Sequence, residues 1–260
     1  FETCTTERWT APPRAYNNKT LQLETIYNSH EYAKKQGWSV RVESWIKLMN
    51  TGNKLHPELY SYFENKEVWK SKFLTYSVRT KEWDLITDEP FDNCFTFPLF
   101  TEDFCRMIRE EAENCKCWTT DRHDNYPTTD MLISMIGMDE IYNDVLKEYI
   151  MQFSIYMWAL EGKGWDSLRS ENFLAKYVPN AQGHLSIHHD MSDITCLVQL
   201  SAEDEYEGGG TYFRRQKQLV KCPIGYCTIH PGNITHKHGA RAVTKGTRYI
   251  VVSFMMNTER

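Results

Sequence analysis

Ile194-Thr195-Cys196-Leu197-Val198-Gln199-Leu200 and Arg248-Tyr249-Ile250-Val251-Val252-Ser253-Phe254 are short runs dominated by β-branched, aliphatic and aromatic side chains. Such runs read as strands when turn residues bound them. Phe173–Val178, Gly210–Phe213 and Tyr226–His230 have the same texture. Turn signals fall between them: Pro179-Asn180, Gly208-Gly209-Gly210, Pro223, Pro231-Gly232 and Lys245-Gly246. Their spacing suits a β-sandwich or barrel. The three consecutive glycines read as a hairpin turn with positive φ, and not as a phosphate loop, since no Gly-Lys-Ser/Thr follows.

Upstream the period changes from two to helical. Phe104, Met107, Ile108 and Ala112 recur on one face of a helix that Thr101 can cap and that opens with Glu102 and Asp103. Ile141, Tyr142, Val145, Leu146, Tyr149, Ile150 and Phe153 predict a second helix over about 139–160, stopped by Gly162 and Gly164. Shorter helices are expected at 57–63, where Pro57 opens the segment, and at 68–73. Helices followed by a strand-dense half give an α+β fold, helices packed on one face of a β-sandwich. The expected division is an N-terminal accessory or linker region at 1–90 and the main domain at 91–260.

With 30 Lys and Arg against 35 Asp and Glu, the net charge of −5 offers no excess to neutralise a phosphate backbone. Nucleic acid is therefore not an expected partner. No apolar run approaches the roughly 18 residues of a membrane span. Phe1 in place of a methionine points to a processed chain or a piece of a longer one. Eight cysteines without a C-x-x-C pair make a poor zinc framework. They fit one or two disulfides in a secretory compartment, or reduced core thiols. The sequons Asn18-Lys19-Thr20 and Asn233-Ile234-Thr235 lean the same way, toward the secretory pathway.

The chemistry concentrates in Ser186-Ile187-His188-His189-Asp190. On a strand, alternation puts His188 and Asp190 on one face and His189 on the other. One imidazole and one carboxylate then point at the same place, and Thr235-His236-Lys237-His238 can supply a third ligand. Two histidines and one carboxylate leave three metal positions open, the pattern of non-haem Fe(II) oxygenases. Arg248 follows His238 by ten residues and has no acidic sequence neighbour. A 2-oxoglutarate molecule that chelates iron through its keto acid end needs a planar, two-pronged cation for its far carboxylate, and arginine fits that better than lysine. His236 shares the expected strand face with His238 and competes for the third position; the ten-residue gap to Arg248 favours His238. His184 and His230 read as structural, His230 beside the Pro231-Gly232 turn. Glu203, Asp204, Glu205 and Glu207 read as a solvated loop.

Tyr206-Glu207-Gly208-Gly209-Gly210, His230-Pro231-Gly232-Asn233-Ile234-Thr235-His236-Lys237-His238 and Gly246–Phe254 closely resemble the C-terminal catalytic region of procollagen lysyl hydroxylases. Leu55-His56-Pro57-Glu58-Leu59, Phe97-Pro98-Leu99-Phe100 with Cys105, and Pro127-Thr128-Thr129-Asp130 resemble that family in the same order, so the likeness covers roughly residues 50–256. The resemblance implies a double-stranded β-helix (jelly-roll) core, Fe(II), 2-oxoglutarate and ascorbate. It also implies hydroxylation of lysine in collagen-like Lys-Gly peptides, an endoplasmic reticulum location and a homodimer. By the same resemblance the iron ligands are His188, Asp190 and His238, the co-substrate arginine is Arg248, and Tyr177 helps to hold 2-oxoglutarate.

The chain departs from the family at Leu197, where an asparagine near the co-substrate is usual, and at Thr211, where a disulfide cysteine is usual. It also runs on through Asn257-Thr258-Glu259-Arg260 past the last strand. These departures fit a divergent member, viral or non-vertebrate, better than a vertebrate one, and the stretch that resembles the family does not include the glycosyltransferase part of its multifunctional members. A 2-oxoglutarate oxygenase acting on prolyl or small-molecule substrates, and a jelly-roll binding module without turnover, are the alternative readings.

Overall fold

The computed structural model describes residues 54–120, 122–123, 126–160 and 169–257, which belong to a compact unit from Asn53 to Arg260. Its strands are β1 (Asp88–Phe91), β2 (Cys94–Pro98), β3 (Thr129–Leu132), β4 (Arg169–Tyr177), β5 (Ile194–Gln199) and β6 (Tyr206–Gly208). They continue with β7 (Thr211–Phe213), β8 (Gln218–Val220), β9 (Tyr226–Pro231), β10 (His238–Ala240), β11 (Val243–Gly246) and β12 (Arg248–Met256). A large sheet has the order β1-β2-β9-β5-β12-β4-β3; β10-β7-β8 and β11-β6 form smaller sheets. A bridge between His188 and His238 adds the His188 segment to the edge of β10. From β4 onward the chain therefore passes from the large sheet to the His188 segment at the small-sheet side, back to the large sheet at β5, through β6, β7 and β8 of the small sheets, back at β9, through β10 and β11 of the small sheets, and back at β12. That alternation is a jelly roll.

Strand alternation fills the interior. Phe173, Ala175 and Tyr177 of β4, Leu197 of β5, and Ile250 and Val252 of β12 point inward, where Tyr206 of β6 and Val243 of β11 pack against them. Each large apolar side chain so buried contributes about 1.5–3 kcal/mol. β12 is central because it pairs on both sides, from Arg248↔Tyr177 to Met256↔Arg169 with β4 and from Ile250↔Gln199 to Met255↔Ile194 with β5. The hairpin glycines have φ of 82°, 64° and 94°, as their turn requires.

The other face of the large sheet is covered by helices. Phe95 and Phe97 of β2 meet Phe153 at centroid distances of 5.5 and 4.8 Å. The helix Glu102–Cys115 starts at Thr101, whose side chain accepts from Phe104 N, and buries Phe104, Met107, Ile108 and Ala112 as their spacing requires. Residues 139–158 are helical throughout but pass through a π segment at Leu146–Met151, which the apolar stripe does not disclose. That helix ends at Trp158, ahead of Gly162 and Gly164, which lie outside the described residues. The helix Lys66–Phe73 packs Trp69 and Phe73 on Phe104, at 6.0 and 6.1 Å. Residues 54–90, expected in an accessory region, bury Tyr62, Trp69, Phe73 and Trp83 in the unit that carries the sheets. No disulfide forms among the described cysteines.

Candidate metal centre

His188, Asp190 and His238 converge at one end of the jelly-roll interior, all three buried, with one ligand atom from each within 4.8 Å of the others. His188 Nε2 lies 3.2 Å from Asp190 Oδ1, and His238 Nε2 lies 3.6 Å from Asp190 Oδ2. Bonds of about 2.1 Å to a common metal would put neighbouring donors about 3 Å apart, so the three are spaced for one ion. The backbone sets the ring orientation. His188 Nδ1 donates to Ser186 O at 2.8 Å, and His238 Nδ1 donates to His236 O at 2.9 Å. Each Nδ1 is thus held as a donor to the backbone, and each Nε2 faces the site, where it can bind a cation in place of a proton.

The electrostatics suit a cation. Burial alone would push the Asp190 carboxyl up, but the His238 charge and hydrogen bonds from His188 and Thr195 hold it below the usual carboxylate range. Burial lowers His188, and its hydrogen bond to Asp190 more than offsets this, leaving it raised. His238 is lowered, chiefly by burial. A carboxylate anion flanked by two Nε2 atoms is a donor set that fits a divalent ion with open positions.

The strand reading of this segment needs one correction. His188 makes an isolated bridge to His238, and no strand spans 186–190. Alternation still holds, with His189 exposed between the buried His188 and Asp190. His236 is not on the face of His238. It ends a 3-10 turn at Ile234–His236, and β10 begins only at His238. Its ring is used elsewhere, with Nδ1 2.9 Å from Thr235 Oγ1 and Nε2 donating to Asp92 O at 3.2 Å. His230 is wholly buried beside His238, its Nδ1 donating to Pro231 O at 2.8 Å, which fixes the turn as expected. His184 and the acidic 203–207 segment are largely exposed.

Arg248 and Tyr177 are register partners across β12 and β4, both buried, with the guanidinium 5.7 Å from the ring. Arg248 Nε donates to Gln199 Oε1 at 3.1 Å, while Nη1 is buried without a hydrogen-bond partner among the described residues. An orphaned guanidinium N–H is costly in a protein interior, and an anionic ligand would relieve it. That is the fit expected for the far carboxylate of a dicarboxylate co-substrate. Burial pushes the Tyr177 hydroxyl up to about 12 against the pull of Arg248, so it is a neutral donor at this wall.

Two residues in the site carry no motif. Thr195 donates to Asp190 Oδ2 at 2.6 Å. Gln199 shares its inward face with Thr195 and Leu197, and a polar residue at the end of an apolar strand run was its available signal. Tyr126 also reaches the centre, its ring 5.0 Å from that of His188.

The OGFOD2-like domain family matches residues 49–162. The multifunctional procollagen lysine hydroxylase and glycosyltransferase LH3 of Rattus norvegicus is 32% identical over 214 residues, 77% of this chain and 28% of that protein. Procollagen-lysine,2-oxoglutarate 5-dioxygenase 2 of Mus musculus is 31% identical over 246 residues, 88% of this chain and 31% of that protein. Among solved structures, the viral collagen prolyl hydroxylase of Paramecium bursaria Chlorella virus-1 is similar with a TM-score of 0.48 and 16% identity, over 63% of this chain and 95% of that one. The chain spans less than a third of the length of the two lysine hydroxylases. With identity of this level over most of its residues, it belongs to the family of the procollagen-lysine 2-oxoglutarate 5-dioxygenases.

Proposed function

We propose that this protein is an Fe(II)- and 2-oxoglutarate-dependent dioxygenase that hydroxylates peptidyl lysine in collagen-like Lys-Gly sequences. The observation that carries the reading is the convergence of His188, Asp190 and His238 with both Nδ1 atoms tied to backbone carbonyls. In this reading His188, Asp190 and His238 hold the iron, Arg248 binds the far carboxylate of 2-oxoglutarate, and Tyr177 donates beside it. When bound, iron and 2-oxoglutarate supply an oxidant for a C–H bond: one oxygen atom of O₂ goes to the substrate and the other to succinate, with release of CO₂. The chain's own residues orient the co-substrate, keep water from the interior and hold the donor set in fixed geometry.

The lysine substrate is inferred from what the relatives are named for. Ascorbate as reductant, a homodimeric state and residence in the endoplasmic reticulum lumen belong to the same proposal. No described helix is long and apolar enough to cross a membrane. The test is succinate formation by the purified chain. Release should require both Fe(II) and 2-oxoglutarate and should rise when a collagen-like Lys-Gly peptide is added. Succinate production indifferent to both Fe(II) and peptide would overturn the reading.

A further inference from the structure

Arg248 presents its donors in one rigid plane, so its value to a carboxylate depends on how that plane is turned. The rotation is set by a neighbour on β5. Gln199 Oε1 accepts from Arg248 Nε at 3.1 Å. The amide cannot turn round without loss, because its Nε2 donates to Ser201 O at 3.0 Å and to Tyr206 Oη at 3.2 Å. Gln199, Tyr206 and Arg248 are 5%, 8% and 5% exposed. Gly209 closes the group: a Cβ there would come within 2.9 Å of the Tyr206 ring and 3.2 Å of Arg248 Cδ, so the missing side chain lets the ring pack beside the arginine stem.

The chemistry of the holder matters as much as its position. An amide accepts from Nε and adds no charge, so the full positive charge of Arg248 stays available to an anion. A carboxylate in the same place would neutralise the guanidinium and repel that anion. Gln199 lies four residues along β5 from Thr195, about 13 Å at roughly 3.3 Å per residue. It therefore stands at the far end of the interior from the metal ligands, at the level of Arg248.

We propose that Gln199 is a positioning residue for the co-substrate, locking the Arg248 guanidinium so that its outer edge meets the far carboxylate of 2-oxoglutarate. The inference rests on the co-substrate role given to Arg248 above. The experiment is calorimetric titration of 2-oxoglutarate into the Mn(II)-loaded protein without oxygen, alongside Mn(II) affinity and thermal melting. Gln199→Leu, Gln199→Glu and Arg248→Ala are compared with the unaltered chain. Gln199→Leu should weaken 2-oxoglutarate binding on the order of tenfold. The isosteric Gln199→Glu should weaken it further, with Mn(II) affinity held within about twofold in both. Gln199→Glu keeps the shape of the site, so it decides the matter even if the leucine variant does not fold. If Gln199→Glu binds 2-oxoglutarate as tightly as the unaltered chain, or loses Mn(II) and 2-oxoglutarate affinity by the same factor, the proposal is overturned. Weakened binding in Arg248→Ala alone would sink Gln199 and spare Arg248; unchanged binding in Arg248→Ala would sink both.

Discussion

Thr195 Oγ1 donates a 2.6 Å hydrogen bond to Asp190 Oδ2, and Ser192 Oγ stands 2.8 Å from the same hydroxyl. The bond holds one carboxylate oxygen and leaves Oδ1 toward His188 Nε2. Thr195 is wholly buried on the inward face of β5, so no water can replace its hydroxyl freely. Thr195→Val keeps the shape and removes the donor. Such outer partners of metal ligands are worth about 10-fold to 100-fold in metal affinity. A Mn(II) or Co(II) binding isotherm should show that loss for Thr195→Val, with most of the affinity kept in Thr195→Ser. Equal affinities in all three proteins would mean that the hydroxyl does not orient Asp190.

The two histidines of the 236–238 segment should separate cleanly. His238→Ala removes one of three convergent donors and should abolish metal binding at micromolar concentration together with turnover. His236→Ala removes the bond to Asp92 O and leaves the donor set whole. It should keep metal affinity within a few-fold and lower the melting temperature, since a buried hydrogen bond contributes about 1 kcal/mol. Reversed outcomes would move the third ligand to His236.

Arg248→Ala should raise the KM for 2-oxoglutarate steeply while metal affinity stays nearly constant. Truncating one partner of a buried charge pair costs about 2–5 kcal/mol, or roughly 30-fold to several thousand-fold in affinity. Arg248→Lys should recover only part, because a point charge does not reproduce the fork. An unchanged KM would remove Arg248 from the co-substrate site.

The metal-free protein should lose stability in acid through His230. Burial holds this imidazole neutral, with its pKa pushed down to about 3, against about 6.5 in an unfolded chain. The stabilising contribution is complete above pH about 6.5 and is lost as pH falls from there through about 3, because the unfolded chain binds the proton first. His238, also lowered, acts with the same sign, and His188, raised, opposes it. Melting temperatures of chelator-treated protein between pH 7 and 4 should fall, and His230→Gln should flatten the slope. An equal slope in the variant would assign the acid sensitivity elsewhere.

Much of this was legible in the residue pattern. The runs at 194–199 and 248–256 became the centre of the large sheet because branched side chains buried on both faces leave a strand few alternatives. His188, Asp190, His238 and Arg248 were legible through order and spacing. What alternation missed were interruptions of alternation: the 3-10 turn that redirects His236, and the bridge that stands in for a strand at His188. Strands β1 and β2 escaped because their apolar residues lie near helix-rich stretches, and only pairing with β9 defines them. Thr195 and Gln199 have no motif, since their roles come from partners contributed by other segments of the interior.

Localised mass spectrometry reads out the proposed lysine hydroxylation at the His188–Asp190–His238 centre. A collagen-like peptide with both Lys-Gly and Pro-Gly sites is incubated with the chain, Fe(II), 2-oxoglutarate and ascorbate, then fragmented. One added oxygen on lysine, absent with Asp190→Ala and matched by succinate, is the expected result. Oxygen on proline alone, or succinate released with the peptide unmodified, would contradict it.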